Sequence, residues 1–236
     1  DSEGTIHGRG ARRGVSFFES ENFVWHNGEW LKLDMPKKAS FGGIVDGRIL
    51  FSTNEEWRIG DTVYAPDSIL SADLAEFKAN PDKAAKTLVW APGPKQTSQG
   101  SAITKDALYV SLLDNVRGRV LRFNFDGGKW TSTPVALPQN ATVGIAGTIG
   151  KRDIVLATAE TMLTPPTLYA VSQDRAPQTV QSLPATFDAK AMTVEKRFAI
   201  SKDGTRIPYF LARKKGATGP VPALLHAYGG FRAAQT

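Results

Sequence analysis

The sequence predicts a mainly β chain: β-propeller blades, about four of them, followed by the first strands of a different, α/β sheet. Three observations predict it. Period-2 alternation of apolar and polar residues runs through most of the 236 residues, whereas the 3.6-residue period of an amphipathic helix is nearly absent. Four apolar segments close on prolines at Pro36, Pro92, Pro138 and Pro184, which stand 56, 46 and 46 residues apart by subtraction, near the roughly 40–50-residue period of propeller blades. After Pro184 the pattern changes to one long hairpin and a short, wholly apolar run.

Residues 1–36 carry the end of one blade. Gly8-Arg9-Gly10-Ala11-Arg12-Arg13 is the dense basic cluster of a chain with net charge +6. No aromatic platform is interleaved with it, so it reads as a solvated loop and no nucleic-acid partner is expected. Asn27-Gly28-Glu29-Trp30 is a hairpin tip, and residues 31–36 are the proline-closed strand that follows.

Three repeats come next, each with four strands in the same order. A small-residue strand opens each one (residues 41–45, 100–104 and 143–147), and its glycines suit the crowding of blades around an axis. A β-rich second strand follows at 48–52, 107–111 and 153–157, then a third at 68–71, 119–123 and 166–171. The proline-closed segments 87–92, 133–138 and 179–184 are the fourth strands. Asp126-Gly127-Gly128-Lys129-Trp130 is a second hairpin tip, and Trp30 and Trp130 are placed to cap a neighbouring blade. One short helix is expected around Leu74-Ala75-Glu76-Phe77, stopped by Asn80-Pro81. Ser98, Ser101 and Ser111 are blade residues with no base near them in the pattern.

Composition narrows the chemistry. Hydrophobic content of 41% and charged content of 22% are ordinary for a globular domain, and no apolar run approaches the about eighteen residues of a membrane-spanning helix. The absence of cysteine excludes disulfides, a thiol nucleophile and thiolate metal sites, while leaving the compartment open between cytoplasm and periplasm. His7, His26 and His226 show no His-x-x-x-His spacing, so no metal or cofactor is expected.

A boundary near residue 187 divides the chain into residues 1–187 and 188–236. Residues 191–200 and 205–212 form a hairpin around Ser201-Lys202-Asp203-Gly204-Thr205, and Val221-Pro222-Ala223-Leu224-Leu225-His226 reads as a short strand buried on both faces. It runs into Tyr228-Gly229-Gly230-Phe231, where two glycines permit positive φ and leave backbone N–H groups free to approach a ligand. In α/β-hydrolases one oxyanion donor comes from the loop after the third strand, often His-Gly-Gly-Gly, and His226-Ala227-Tyr228-Gly229-Gly230 is a variant of it. From these residues alone Tyr228 has two roles open: packing a turn, or donating a neutral hydroxyl to a developing oxyanion.

Ser201-Lys202-Asp203-Gly204-Thr205-Arg206-Ile207-Pro208, Arg213-Lys214-Lys215-Gly216 and Tyr228-Gly229-Gly230-Phe231 resemble the entry of the prolyl oligopeptidase family into its hydrolase domain. Leu163-Thr164-Pro165-Pro166-Thr167-Leu168-Tyr169 is similar to that family's last blade. Gly230-Phe231, where oligopeptidases that cut after basic residues carry Ser-Tyr, favours the prolyl branch. The resemblance implies a seven-bladed propeller over an α/β-hydrolase domain, and serine-peptidase cleavage after proline in short peptides. It further implies Tyr228 as the oxyanion tyrosine on the Gly229-Gly230 turn, and Phe231 as an aromatic wall of the proline pocket. The partners implied are short proline-containing peptides and the remainder of the catalytic domain. No Gly-x-Ser-x-Gly occurs in the sequence, and His226 precedes the turn, so the triad is expected beyond residue 236 and this segment alone is expected to be inactive. A non-catalytic propeller scaffold and an esterase of the same architecture are the alternative readings.

Overall fold

The computed structural model describes residues 1–149 and 151–228. In chain order the strands are β1 (Gly10–Gly14), β2 (Ser20–His26), β3 (Glu29–Lys32), β4 (Ala39–Val45), β5 (Arg48–Thr53), β6 (Trp57–Ile59), β7 (Thr62–Tyr64) and β8 (Ile69–Asp73), followed by helix α1 (Leu74–Ala79). Then come β9 (Lys86–Trp90), β10 (Gln96–Ile103), β11 (Leu108–Asp114), β12 (Arg117–Asp126), β13 (Lys129–Pro134), β14 (Thr142–Ile149), β15 (Ile154–Thr161), β16 (Thr164–Val171), β17 (Gln178–Ser182), β18 (Met192–Ile200) and β19 (Arg206–Lys214).

Four antiparallel sheets succeed one another along the chain: β1-β2-β3, β4-β5-β8-β9, β10-β11-β12-β13 and β14-β15-β16-β17. Among the described residues β18 and β19 pair only with each other. The expected blades are thus present, as an open run rather than a closed ring. Apolar side chains fill the seams between sheets. Leu33 joins Ala39, Phe51 and Leu70 between the first and second, Leu50 and Trp90 join Val110 and Phe123 between the second and third, and Tyr109 and Val120 join Val143 and Val155 between the third and fourth.

Each four-stranded sheet carries a β-bulge on its opening strand, with Gly42, Gln99 or Ala146 as the extra residue and a glycine immediately after it. This gives the small-residue strands a more local cause than crowding around an axis. A bulge bends the strand and asks one residue for an unusual backbone, and Gly43 meets the demand with φ of 105°.

The closing prolines have a different cause from the one expected. β3 stops at Lys32, β13 at Pro134 and β17 at Ser182, so Pro36, Pro138 and Pro184 lie in linkers. There the N–H groups of Leu33, Val135 and Leu183 donate back to the carbonyls of Asn22, Val120 and Pro166. Met35 then donates to Leu33 and Leu137 to Val135, both at 2.9 Å, a tight three-residue turn that swings the chain toward the next sheet. Pro36 and Pro138 end this turn, not the strand.

Three further differences have physical reasons. Residues 10–13, expected as a solvated loop, belong to edge strand β1, because Arg13 lies opposite Glu21 in the ladder and pairs with it. The connection from β5 to β8 holds an unexpected small hairpin, β6-β7, whose Trp57 is buried edge-on against Phe51. Residues 221–226, expected as a buried strand, form none, and Leu224 and Leu225 are 96% and 92% exposed. A strand buried on both faces needs neighbours on both, and no described strand offers an edge there.

The short helix forms where expected. Asp73 Oδ1 caps it by accepting from the N–H groups of Ala75 and Glu76, and Phe77 is the residue it buries. Of the two tip tryptophans, Trp130 reaches across a seam and donates from Nε1 to Ser71 Oγ at 2.9 Å. Trp30 instead packs edge-on against its cross-strand neighbour Trp25, with ring centroids 5.3 Å apart.

One seam contains charge. Arg122 on β12 is buried, and its guanidinium meets the Asp153 carboxylate of the fourth sheet, Nη2 to Oδ2 at 2.5 Å and Nε to Oδ2 at 3.2 Å. Thr104 Oγ1 and the Tyr109 hydroxyl donate to Asp153 Oδ1 at 2.5 and 3.3 Å. Burial, and then the nearby Asp153 charge, push the Tyr109 phenol up to about 12.

Candidate active-site segment

The hairpin β18-β19 keeps one unbroken register from Met192↔Lys214 to Ile200↔Arg206. Its tip is closed by Asp203, whose Oδ1 accepts from the Thr205 N–H at 3.0 Å and from the Ser201 hydroxyl, holding its carboxyl at about 2. On its face Glu195 lies between Arg197 and Arg213, at 2.5 and 2.8 Å, and both guanidinium groups hold its carboxyl below the usual range. The base is tied where the Lys215 N–H donates to Ala191 O and Nζ to Lys190 O.

The hairpin also touches the third sheet. Lys196 Nζ donates to Asn115 O, in the β11-β12 turn, at 2.7 Å. Desolvation, with Arg117 and Lys95 nearby, lowers the Lys196 pKa.

Beyond β19 the chain runs exposed to Tyr228, which is 51% exposed and whose hydroxyl is bonded to no described residue. Of the four expected site residues only Tyr228 is described, since Gly229, Gly230 and Phe231 lie outside the described residues. His226 is exposed rather than buried in a strand.

Among the described residues no serine hydroxyl is hydrogen-bonded to a histidine. Ser98 and Ser101 lie on β10, and Ser111 donates to Gly100 O. His7 contacts Asp1 at 2.6 Å and His26 contacts Asn27 at 3.0 Å. The described residues therefore offer a hydroxyl donor but no nucleophile–base pair. The Arg122–Asp153–Tyr109 cluster, which the sequence did not announce, is internally satisfied, with a phenol too poor an acid to serve as a base near neutral pH; it is a seam element.

An uncharacterised peptidase of Sinorhizobium fredii is 32% identical over 228 residues, covering 93% of this chain and 31% of its own length. A post-proline cleaving enzyme from Rickettsia typhi superposes with a TM-score of 0.74 over 89% of this chain and 31% of its own, at 23% identity. By fold, the chain is similar to about a third of a post-proline cleaving enzyme. A further prolyl endopeptidase structure matches with a TM-score of 0.67 over 86% of this chain and 28% of its own, at 19% identity. No protein-family model matches the chain. The chain spans 31% of the length of the two curated peptidases it matches over more than nine-tenths of its own residues.

Proposed function

We propose that these 236 residues are part of a serine peptidase of the prolyl oligopeptidase kind, which hydrolyses short peptides on the carboxyl side of proline. Residues 1–187 contribute blades of the substrate-gating propeller, and residues 188–236 open the α/β-hydrolase domain. A likeness that runs along nearly the whole chain, to peptidases by sequence and to post-proline cleaving enzymes by fold, carries this reading.

The chemistry is acyl transfer. A serine from the remainder of the catalytic domain attacks the carbonyl carbon of the prolyl residue, and its proton passes to a histidine base. The Tyr228 hydroxyl donates to the oxygen that becomes negative, the Gly229-Gly230 backbone lets the substrate approach closely, and Phe231 packs the proline ring. A half-exposed Tyr228 whose hydroxyl is bonded to no described residue is compatible with that donation, and the exposed Leu224 and Leu225 suit a run that the rest of an α/β sheet covers. One oxyanion donor contributes roughly 10²–10³ in rate.

In the full-length enzyme Tyr228→Phe lowers kcat on a chromogenic Gly-Pro amide by at least tenfold with KM nearly unchanged, because the bond strengthens only in the transition state. Residues 1–236 alone give no turnover. An unaltered kcat in the variant removes Tyr228 from the site, and an inactive full-length protein removes the peptidase reading.

A further inference from the structure

Asn27 is the one asparagine of this sequence that precedes a glycine. With Gly28 it makes the turn between β2 and β3, closed by the pairs His26↔Glu29 and Trp25↔Trp30. Asn27 and Gly28 have φ of 49° and 90°, the two positive values of a type I′ turn, which favours Asn-Gly. Asn27, Gly28 and Glu29 are all exposed, nothing lies within 4 Å of where a Gly28 Cβ would stand, and β3 is the edge strand of its sheet. Exposed backbone with so few contacts opens locally at little cost.

The residues that suit this turn also suit a reaction. When the tip opens, the Gly28 nitrogen comes within reach of Asn27 Cγ, and a residue without a side chain leaves that approach unobstructed. The leaving group is already placed against an acid–base group: Asn27 Nδ2 donates to His26 Nε2 at 3.0 Å, with the imidazole half-buried. An amide nitrogen becomes basic once attack on its carbonyl carbon removes its resonance, and it departs only with an added proton. Imidazole is the side chain whose proton exchanges most readily near neutral pH.

We infer that Asn27 is a site of covalent self-modification, in which the Gly28 nitrogen displaces ammonia from Asn27 Cγ with His26 as the proton donor. The Gly28 N–Cγ bond forms and the Cγ–Nδ2 bond breaks. Gly28 N loses its proton to solvent, the His26 imidazolium gives one to Nδ2, ammonia departs, and the imidazole regains its proton from solvent. Water then opens the resulting succinimide at either carbonyl, leaving aspartate, or isoaspartate with the main chain running through the former side chain. Water is the sole co-reactant.

Other tips with an Asx residue before glycine lack this chemistry. Asp46-Gly47, Asp126-Gly127 and Asp203-Gly204 present carboxylates, which carry no neutral leaving group when ionised, and Asp203 is further tied by the Ser201 hydroxyl and the Thr205 N–H. At Asn27 the product alters the sheet. Isoaspartate adds an atom to the backbone of a turn with no slack and a negative charge beside Glu29, so the His26↔Glu29 pair and the edge-on Trp25–Trp30 contact are lost.

The test ages the full-length protein in warm buffers of graded pH and follows tryptic peptide 14–32, which contains both Asn22 and Asn27, by mass spectrometry with isoaspartyl methyltransferase labelling. Asn27 is expected to convert to isoaspartate and aspartate, while Asn22, buried and followed by phenylalanine, stays intact. Tryptophan fluorescence should change in step with the conversion. His26→Gln slows conversion at least tenfold near neutral pH and leaves a rate that rises with hydroxide alone. The unaltered protein gives the same discrimination without a substitution, through a neutral-pH plateau in its rate. An intact Asn27, equal conversion at Asn22, or a rate proportional to hydroxide throughout in the unaltered protein would overturn the inference.

Discussion

Replacing Asp153 with alanine leaves a buried guanidinium without its counter-charge. In the native seam the Asp153 carboxylate accepts from Arg122 Nη2 and Nε, Thr104 Oγ1 and the Tyr109 hydroxyl, and Arg122 itself is only 5% exposed. Breaking a buried pair by deleting one partner costs about 3–5 kcal/mol, more than any one lost hydrogen bond, because the surviving charge stays desolvated. At about 2–4 °C per kcal/mol for a chain of this size, Tm falls by roughly 6–20 °C. The assay is urea unfolding followed by tryptophan fluorescence, with hydrogen exchange to localise the loss at the β12-β14 contact. The double variant Arg122→Met, Asp153→Leu removes both charges and recovers most of the stability. The reasoning is refuted if Asp153→Ala costs under about 1 kcal/mol, or if the double variant is no more stable than the single one.

The same seam makes Tyr109 a late titrator. Its phenol stands at about 12 in the folded chain against an ordinary 10.0, so the stability it contributes is complete below pH 10 and is lost as pH climbs from 10 toward 12. Absorbance at about 295 nm should show one of the five tyrosines ionising last, and Tyr109→Phe should remove that step. Gly118→Ala places a Cβ 2.5 Å from Ala141 O and 2.7 Å from Val143 N, both backbone atoms; the overpacking costs about 1–3 kcal/mol in urea unfolding. Gly8→Ala, with nothing within 4 Å, is the neutral control.

Strand order was legible because each repeat writes its alternation locally, and β4, β5, β8 and β9 lie within a few residues of where the pattern puts them. The ends of the fourth strands were less legible. Pro138 marks a turn that Val135 and Leu137 make with the strand beside them, and that partner is absent from any local window. β1 was hidden by composition, since Gly-Ala-Arg-Arg-Gly has low strand propensity and becomes a strand through the register with β2 and the Arg13–Glu21 pair. In the other direction, residues 221–226 have strand-like residues and no described neighbour, and apolar character alone does not make a strand. Arg122 lies on β12 and Asp153, 31 residues on, in the turn before β15, so their pairing carries no sequence signal. Tyr228 stood out for the glycines that follow it, while its setting depends on residues outside those described.

The bulges on β4, β10 and β14 have a consequence for how these repeats change length. In a regular ladder, deleting one residue transposes every side chain beyond it to the opposite face. Gly42, Gln99 and Ala146 already stand outside the one-to-one pairing, with Phe41↔Phe51, Ser98↔Leu112 and Ile145↔Ala157 on one side and Gly43↔Leu50, Gly100↔Ser111 and Gly147↔Leu156 on the other. Removing one of these three residues joins two halves whose partners are already consecutive. Each opening strand thus carries one residue of slack, a place where the chain can shorten without turning its core outward.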